Sequence, residues 1–154
     1  MAVPARPTAS RSADPTGIVV RPAAVPDITW LVENDGHLDS DAIAGKLASQ
    51  EVLVAEIGGQ RVGLLRLDHL WSTIPFVALV RVSEPFRRQG VGLALVRGAA
   101  ERGRARGASL LLSSATAGEA GPQAWHRAVG FEPCGELAGI NEDGAGELFF
   151  RLTL

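Results

Sequence analysis

The chain has one cysteine, Cys134, and three histidines, His37, His69 and His126, among 154 residues. A lone cysteine excludes an internal disulfide, and the histidines lack the spacing of zinc ligands, so no metal is expected. Neither sign of charge dominates: 15 Lys and Arg against 17 Asp and Glu leave a formal net charge of −2. That balance gives no general reason to bind nucleic acid or an anionic membrane, although arginines cluster between Arg81 and Arg106. No apolar run approaches the ~18 residues of a transmembrane helix. Met1 to Thr16 carries Pro4, Pro7 and Pro15 among Ala, Ser and Arg without the apolar stretch of a signal peptide, and reads as a disordered tail. Residues 17–154 then read as a single domain of a cytoplasmic protein, with 46% hydrophobic residues to supply one core.

The apolar pattern alternates between two periods. Ile18 to Pro22 predicts a first strand. Pro26 to Asn34 predicts a helix with Ile28, Leu31 and Val32 on one face, and Pro26 suits its first turn. Gly36 breaks the chain before a second helix, which Ser40 is expected to cap. Val52 to Ile57, Gly58-Gly59 and Val62 to Leu67 give a hairpin signal, and the β-branched run Phe76 to Val82 predicts a long strand. Val91 to Arg106 has helical spacing ended by Gly107, with Gly98 and Gly103 inside it, and each of these glycines predicts close packing against a sheet. Strands follow at Leu110 to Ser114, Phe131 to Leu137 and Glu147 to Leu152, with a short helix at Gln123 to Ala128. The sum is an α/β (α+β) chain with a mixed, mostly antiparallel sheet of about six to seven strands flanked by helices.

Between the long strand and the long helix stands Arg87-Arg88-Gln89-Gly90-Val91-Gly92. Glycines at a helix start let phosphate oxygens approach unpaired N–H groups where the helix dipole favours negative charge, and arginines add charge-assisted donors. A dinucleotide fingerprint would need glycine or alanine where Leu95 stands, and a P-loop would need Gly-Lys-Ser/Thr where Gly92-Leu93-Ala94 occurs. Both fail. What remains is R-x-x-G-x-G, which closely resembles the acetyl-coenzyme A signature of the GNAT N-acetyltransferase superfamily.

Two further stretches carry that resemblance. Val80-Arg81-Val82-Ser83-Glu84-Pro85-Phe86-Arg87 resembles the strand and loop that lead into the signature, and Ala124-Trp125-His126-Arg127-Ala128-Val129-Gly130-Phe131 resembles the family's short helix ending in Gly-Phe. The resemblance covers about residues 17–154. The resemblance implies a sheet splayed after Val82 with acetyl-CoA as cosubstrate and no metal. Val80, Arg81, Val82, Arg87, Arg88, Gln89, Gly90, Val91, Gly92 and Leu93 would bind the coenzyme, and the Val82 N–H would polarise the thioester carbonyl.

The same resemblance places His126 where the family carries a tyrosine acid, and puts Ala78 where many relatives carry a glutamate base. His126 is therefore the candidate acid, and Asp68 or His69 the candidate replacement for the base. Glu33, Asp35, Asp39 and Asp41 would form one lip of the acceptor cleft, Glu142 and Asp143 the opposite lip, and Trp71 a wall. Glu33, Asp35 and Trp71 are the expected acceptor contacts. The implied activity is transfer of acetyl to a primary amine of a small molecule or peptide, the alternative being a non-catalytic acyl-CoA-binding module. The resemblance leaves room for a homodimer.

Overall fold

The computed structural model describes residues 16–154, so the expected N-terminal tail lies outside the described residues except for Thr16. Seven strands form one sheet in the order β1-β2-β3-β4-β5-β7-β6. They are β1 (Ile18–Pro22), β2 (Val52–Ile57), β3 (Gln60–Leu70), β4 (Ile74–Val82), β5 (Leu110–Thr116), β6 (Glu132–Leu137) and β7 (Glu147–Thr153). Every neighbouring pair is antiparallel except β4 and β5, which run parallel. Four helices join them: α1 (Ile28–Asp35), α2 (Ser40–Ala48), α3 (Val91–Ala105) and α4 (Ala120–Ala128). Among the described residues no helix is long and apolar enough to cross a membrane.

Alternation along the strands divides the core in two. On one face Leu53, Leu65, Val77, Leu111 and Phe150 pack with Val91, Leu95, Val96 and Ala99 of α3. On the other, Val52, Val54 and Leu64 pack with Leu31 of α1 and Ile43 of α2. The glycines inside α3 serve that contact: a Cβ on Gly98 would stand 2.9 Å from Val20 Cγ1, and one on Gly103 would stand 2.8 Å from Leu154 Cδ1.

Several element limits differ from the sequence reading. Residues Val25–Asp27 form a 3-10 turn before α1, so the proline starts a tighter coil than a helix. The cap of α2 is Asp39, whose carboxylate accepts the Ala42 N–H at 2.9 Å, and Ser40 is the first helical residue. A carboxylate at that position also favours the positive end of the helix dipole. Strand β3 runs on to Leu70 and β4 starts at Ile74, because Trp71 and Ser72 both adopt positive φ in the turn between them. Helix α4 begins three residues earlier than expected and contains Pro122, which its first turn tolerates.

Candidate active site

Strand β4 pairs with β3 along its whole length but with β5 only at Phe76↔Leu112 and Val77↔Ser113. A bulge lies at the point of separation. Arg66 pairs with Leu79 and Leu67 with Val77, so Ala78 is the extra residue on β4. Beyond it β4 leaves β5 and a gap opens in the sheet. The Ser83 N–H donates to the Val62 carbonyl of β3 at 2.8 Å, while the Val82 carbonyl accepts Arg87 Nε at 3.1 Å from the other side. By alternation the main-chain groups of Val80 and Val82 face the gap, as expected, and those of Arg81 face β3. The Arg81 guanidinium donates to the Asn34 carbonyl at the end of α1 at 3.2 Å. Arg81 therefore turns its main chain toward β3 and its guanidinium toward α1.

The loop after β4 holds its shape locally. A 3-10 turn at Glu84–Phe86 precedes Arg88 and Gly90, both at positive φ, and Gln89 Nε2 donates to the Pro85 carbonyl at 3.0 Å. Helix α3 then starts with no side-chain cap. The backbone N–H groups of residues 88–93 find no acceptor among the described residues. This is the chemistry a pyrophosphate satisfies: a row of N–H donors at the positive end of a 15-residue helix. Nothing lies within 4 Å of a Cβ built on Gly90, so its backbone is open to a phosphate. Gly92 differs, since it is buried and faces the indole of Trp125. The open position is therefore Gly90, and Gly92 instead lets α4 lie against α3.

A cleft of about 560 Å³ borders the loop and the gap, lined by Trp30, Glu33, Arg81, Val82, Glu84 and Arg87 among others. Of the expected acceptor contacts, only Glu33 lies there. Asp35 is buried, its Oδ2 2.7 Å from Arg66 Nε and its Oδ1 accepting the His37 N–H at 3.1 Å. It anchors the α1–α2 loop to β3 and does not face an acceptor. Trp71 is 82% exposed at the tip of the β3–β4 turn. Glu142 and Asp143 are exposed in the β6–β7 loop.

Asp68 and His69 lie elsewhere. They pair with Phe76 and Pro75, at the opposite end of β4 from Val82. Six or seven residues of strand separate them from it, about 20 Å at the usual rise. Asp68 Oδ1 is 2.5 Å from Lys46 Nζ, which also binds Glu51 Oε2 at 2.9 Å, and His69 Nδ1 is 2.6 Å from Glu51 Oε1. Burial would raise the Glu51 carboxyl, but its Lys46 and His69 partners outweigh burial and lower it. The network lines a separate cleft of about 820 Å³, away from Val82, and both side chains are engaged in its ion pairs.

His126 is also placed otherwise than expected. It is 5% exposed, and its ring stacks on Phe150 with centroids 4.6 Å apart. Trp125 and Phe131 meet it edge-on. Nδ1 lies 2.7 Å from the Pro122 carbonyl and Nε2 2.8 Å from Ser113 Oγ. A carbonyl only accepts, so Nδ1 carries the proton and Nε2 of the neutral ring is an acceptor. Burial lowers the pKa below its ordinary value, against a smaller upward pull from the Pro122 hydrogen bond and the Glu147 charge. A neutral ring with Nε2 facing Ser113 has no proton to hand directly to a sulfur in the cleft. Ser113 was not singled out by sequence, although it is the one polar residue at an inward position of β5, between Leu111 and Ala115.

Residues 21–131 match the family model of the Acetyltransferase (GNAT) family, and the chain belongs to that family. It is an acetyl-CoA-dependent acetyltransferase. A ribosomal-protein-alanine N-acetyltransferase from Brucella melitensis is similar at 26% identity and a TM-score of 0.74, covering 88% of this chain and 99% of its own. Ard1 from Thermoplasma volcanium aligns at 17% identity and a TM-score of 0.77 over 90% of this chain and 98% of its own. A GNAT family acetyltransferase from Elizabethkingia anophelis with acetyl-CoA bound aligns at 17% identity and 0.71, over 90% and 99%. No curated protein matches the chain.

Proposed function

We propose that this acetyltransferase moves the acetyl group of acetyl-CoA to a primary amine of a small molecule or peptide by direct attack on the thioester. The observation that carries the reading is the row of unpartnered N–H groups at residues 88–93 beside the open edge of β4. The loop takes the pyrophosphate on its main chain and on Arg87, whose two Nη groups donate to nothing among the described residues. The pantetheine arm runs down the gap past Val82 and Val80. It brings the thioester to the separation point of β4 and β5, where the gap-facing main-chain N–H of Val80 stabilises the developing oxyanion, a role the sequence reading gave to the Val82 N–H nearer the loop. Glu33 gives the adjoining cleft a negative group for a cationic acceptor. The similarity to an enzyme named for ribosomal-protein alanine makes peptide N-termini the first acceptors to try.

The test is a panel of polyamines, aminoglycosides, amino acids and alanine-initiated peptides offered with acetyl-CoA, read by release of free thiol and product mass. An amine heavier by one acetyl group, formed with stoichiometric thiol, supports the reading. Acetyl-CoA binding without thiol release for any amine would overturn it.

A further inference from the structure

The gap between β4 and β5 closes on a hydrogen-bonded chain that coenzyme binding does not use. Ser113, 3% exposed, sits on the last pair that joins the two strands. Its hydroxyl lies 2.8 Å from His126 Nε2 and 3.4 Å from the Val77 carbonyl. We propose that Ser113 and His126 form a proton relay at this closed end, with the Ser113 hydroxyl meeting the reacting centre and His126 acting through it as a positioning residue. The proposal rests on the amine-acetylation reading above.

Distance places the relay. Val82 to Val77 is five residues of strand, about 16 Å, which matches an extended pantetheine arm suspended from the 88–93 loop. The hydroxyl itself is a switchable donor, because its single hydrogen has two acceptors within reach, the Val77 carbonyl and His126 Nε2. The His126 ring cannot swing into the gap, held as it is by the Pro122 carbonyl and the Phe150 stack. Nor is there a phenol to do the work, since the chain contains no tyrosine.

The proton balance closes. Attack forms the C–N bond and leaves the nitrogen cationic. It yields a proton to Ser113 Oγ as the hydroxyl proton passes to His126 Nε2, giving an imidazolium bonded at both nitrogens. Collapse breaks the C–S bond with its electron pair on sulfur, the thiolate takes the Ser113 proton, and Nε2 returns its own to the oxygen. Nitrogen and sulfur share one carbon in the intermediate, so one hydroxyl serves both.

The experiment uses the full chain labelled with nitrogen-15 histidine. Titration with coenzyme A should shift the Nε2 resonance of His126, desulfo-coenzyme A should leave it in place, and Ser113→Ala should abolish the difference. In amine acetylation Ser113→Ala should lower kcat by about 10²-fold, the usual worth of positioned proton transfer, with coenzyme affinity unchanged, and Ser113→Thr should restore most of the rate. Equal Nε2 responses to the two ligands, or a wild-type kcat in Ser113→Ala, would overturn the relay. If the wild type acetylates no amine, the amine reading fails and the resonance still decides the relay.

Discussion

The indole of Trp125 closes over Gly92 so tightly that a Cβ there would stand 3.2 Å from Cζ2 and 3.3 Å from Nε1. Helix α4 is thereby seated on the first turn of α3, beside the loop proposed to take the pyrophosphate. Gly92→Ala should overpack this contact and destabilise the protein by about 1–3 kcal/mol. Urea denaturation measures the loss, and adding Trp125→Leu to the same chain should recover part of it. A Gly92→Ala protein as stable as wild type would show the contact to be slack.

Gly90 carries the opposite expectation. Its φ of +87 disfavours a side chain and its surroundings are empty, so a substituent projects into the cradle. Gly90→Val should abolish measurable coenzyme binding in calorimetry while the chain still folds. Unchanged affinity in a folded Gly90→Val protein would remove the cradle assignment.

Arg87 acts through charge in this scheme. Arg87→Ala should weaken coenzyme A by about 1.5–3 kcal/mol, the range of hydrogen bonds to charged groups, and should spare pantetheine fragments that lack the pyrophosphate. Equal losses for both ligands would mean that Arg87 works by holding the Val82 carbonyl instead.

The loop before α3 and the strands around it were legible because their signals are local. A β-branched run, glycines at a helix start and a 3.6 period each act within a few residues. The ion pairs were not, since Asp35 meets Arg66 across 31 positions and Lys46 meets Asp68 across 22. An acidic residue near a cleft looks the same in sequence whether its carboxylate faces solvent or a buried guanidinium. His126 shows the same limit: its position on α4 followed from the Gly-Phe landmark, but its ring direction depends on Ser113 and Phe150, which other strands bring to it. The Asp39 cap was missed for a smaller reason, as two adjacent capping residues compete and only backbone geometry chooses.

His126 should leave a mark on stability. Because burial depresses its pKa in the folded protein, the unfolded chain binds the proton more readily, and stability rises with pH across that window. Urea midpoints should therefore fall as pH drops from neutrality through about 6.5, the unfolded histidine value, toward the folded value. His126→Phe should flatten that fall relative to wild type. Parallel profiles for the two proteins would show that the ring is not buried neutral.

Asp27 offers the sharpest acid response. It is 1% exposed and accepts Arg21 Nη1 at 2.7 Å, Arg21 Nη2 at 3.0 Å, Arg61 Nε at 2.6 Å and the Ala24 N–H at 2.8 Å. The Arg21 hydrogen bonds hold its carboxyl well below the usual carboxylate range despite burial, which opposes them. Its stabilisation is present above the unfolded value of about 3.9 and is lost as pH falls below that toward the folded pKa. Asp27→Asn keeps the shape but removes the charge between two arginines, and should cost about 3 kcal/mol at neutral pH. The cost should shrink as the wild type is acidified below pH 4, because the unfolded wild-type chain then takes up a proton that the folded carboxylate refuses, and this erodes the advantage of the charge. Urea titrations of both proteins from pH 7 to pH 2.5 measure the convergence. A constant gap across that range would mean that Asp27 contributes by packing and not by charge.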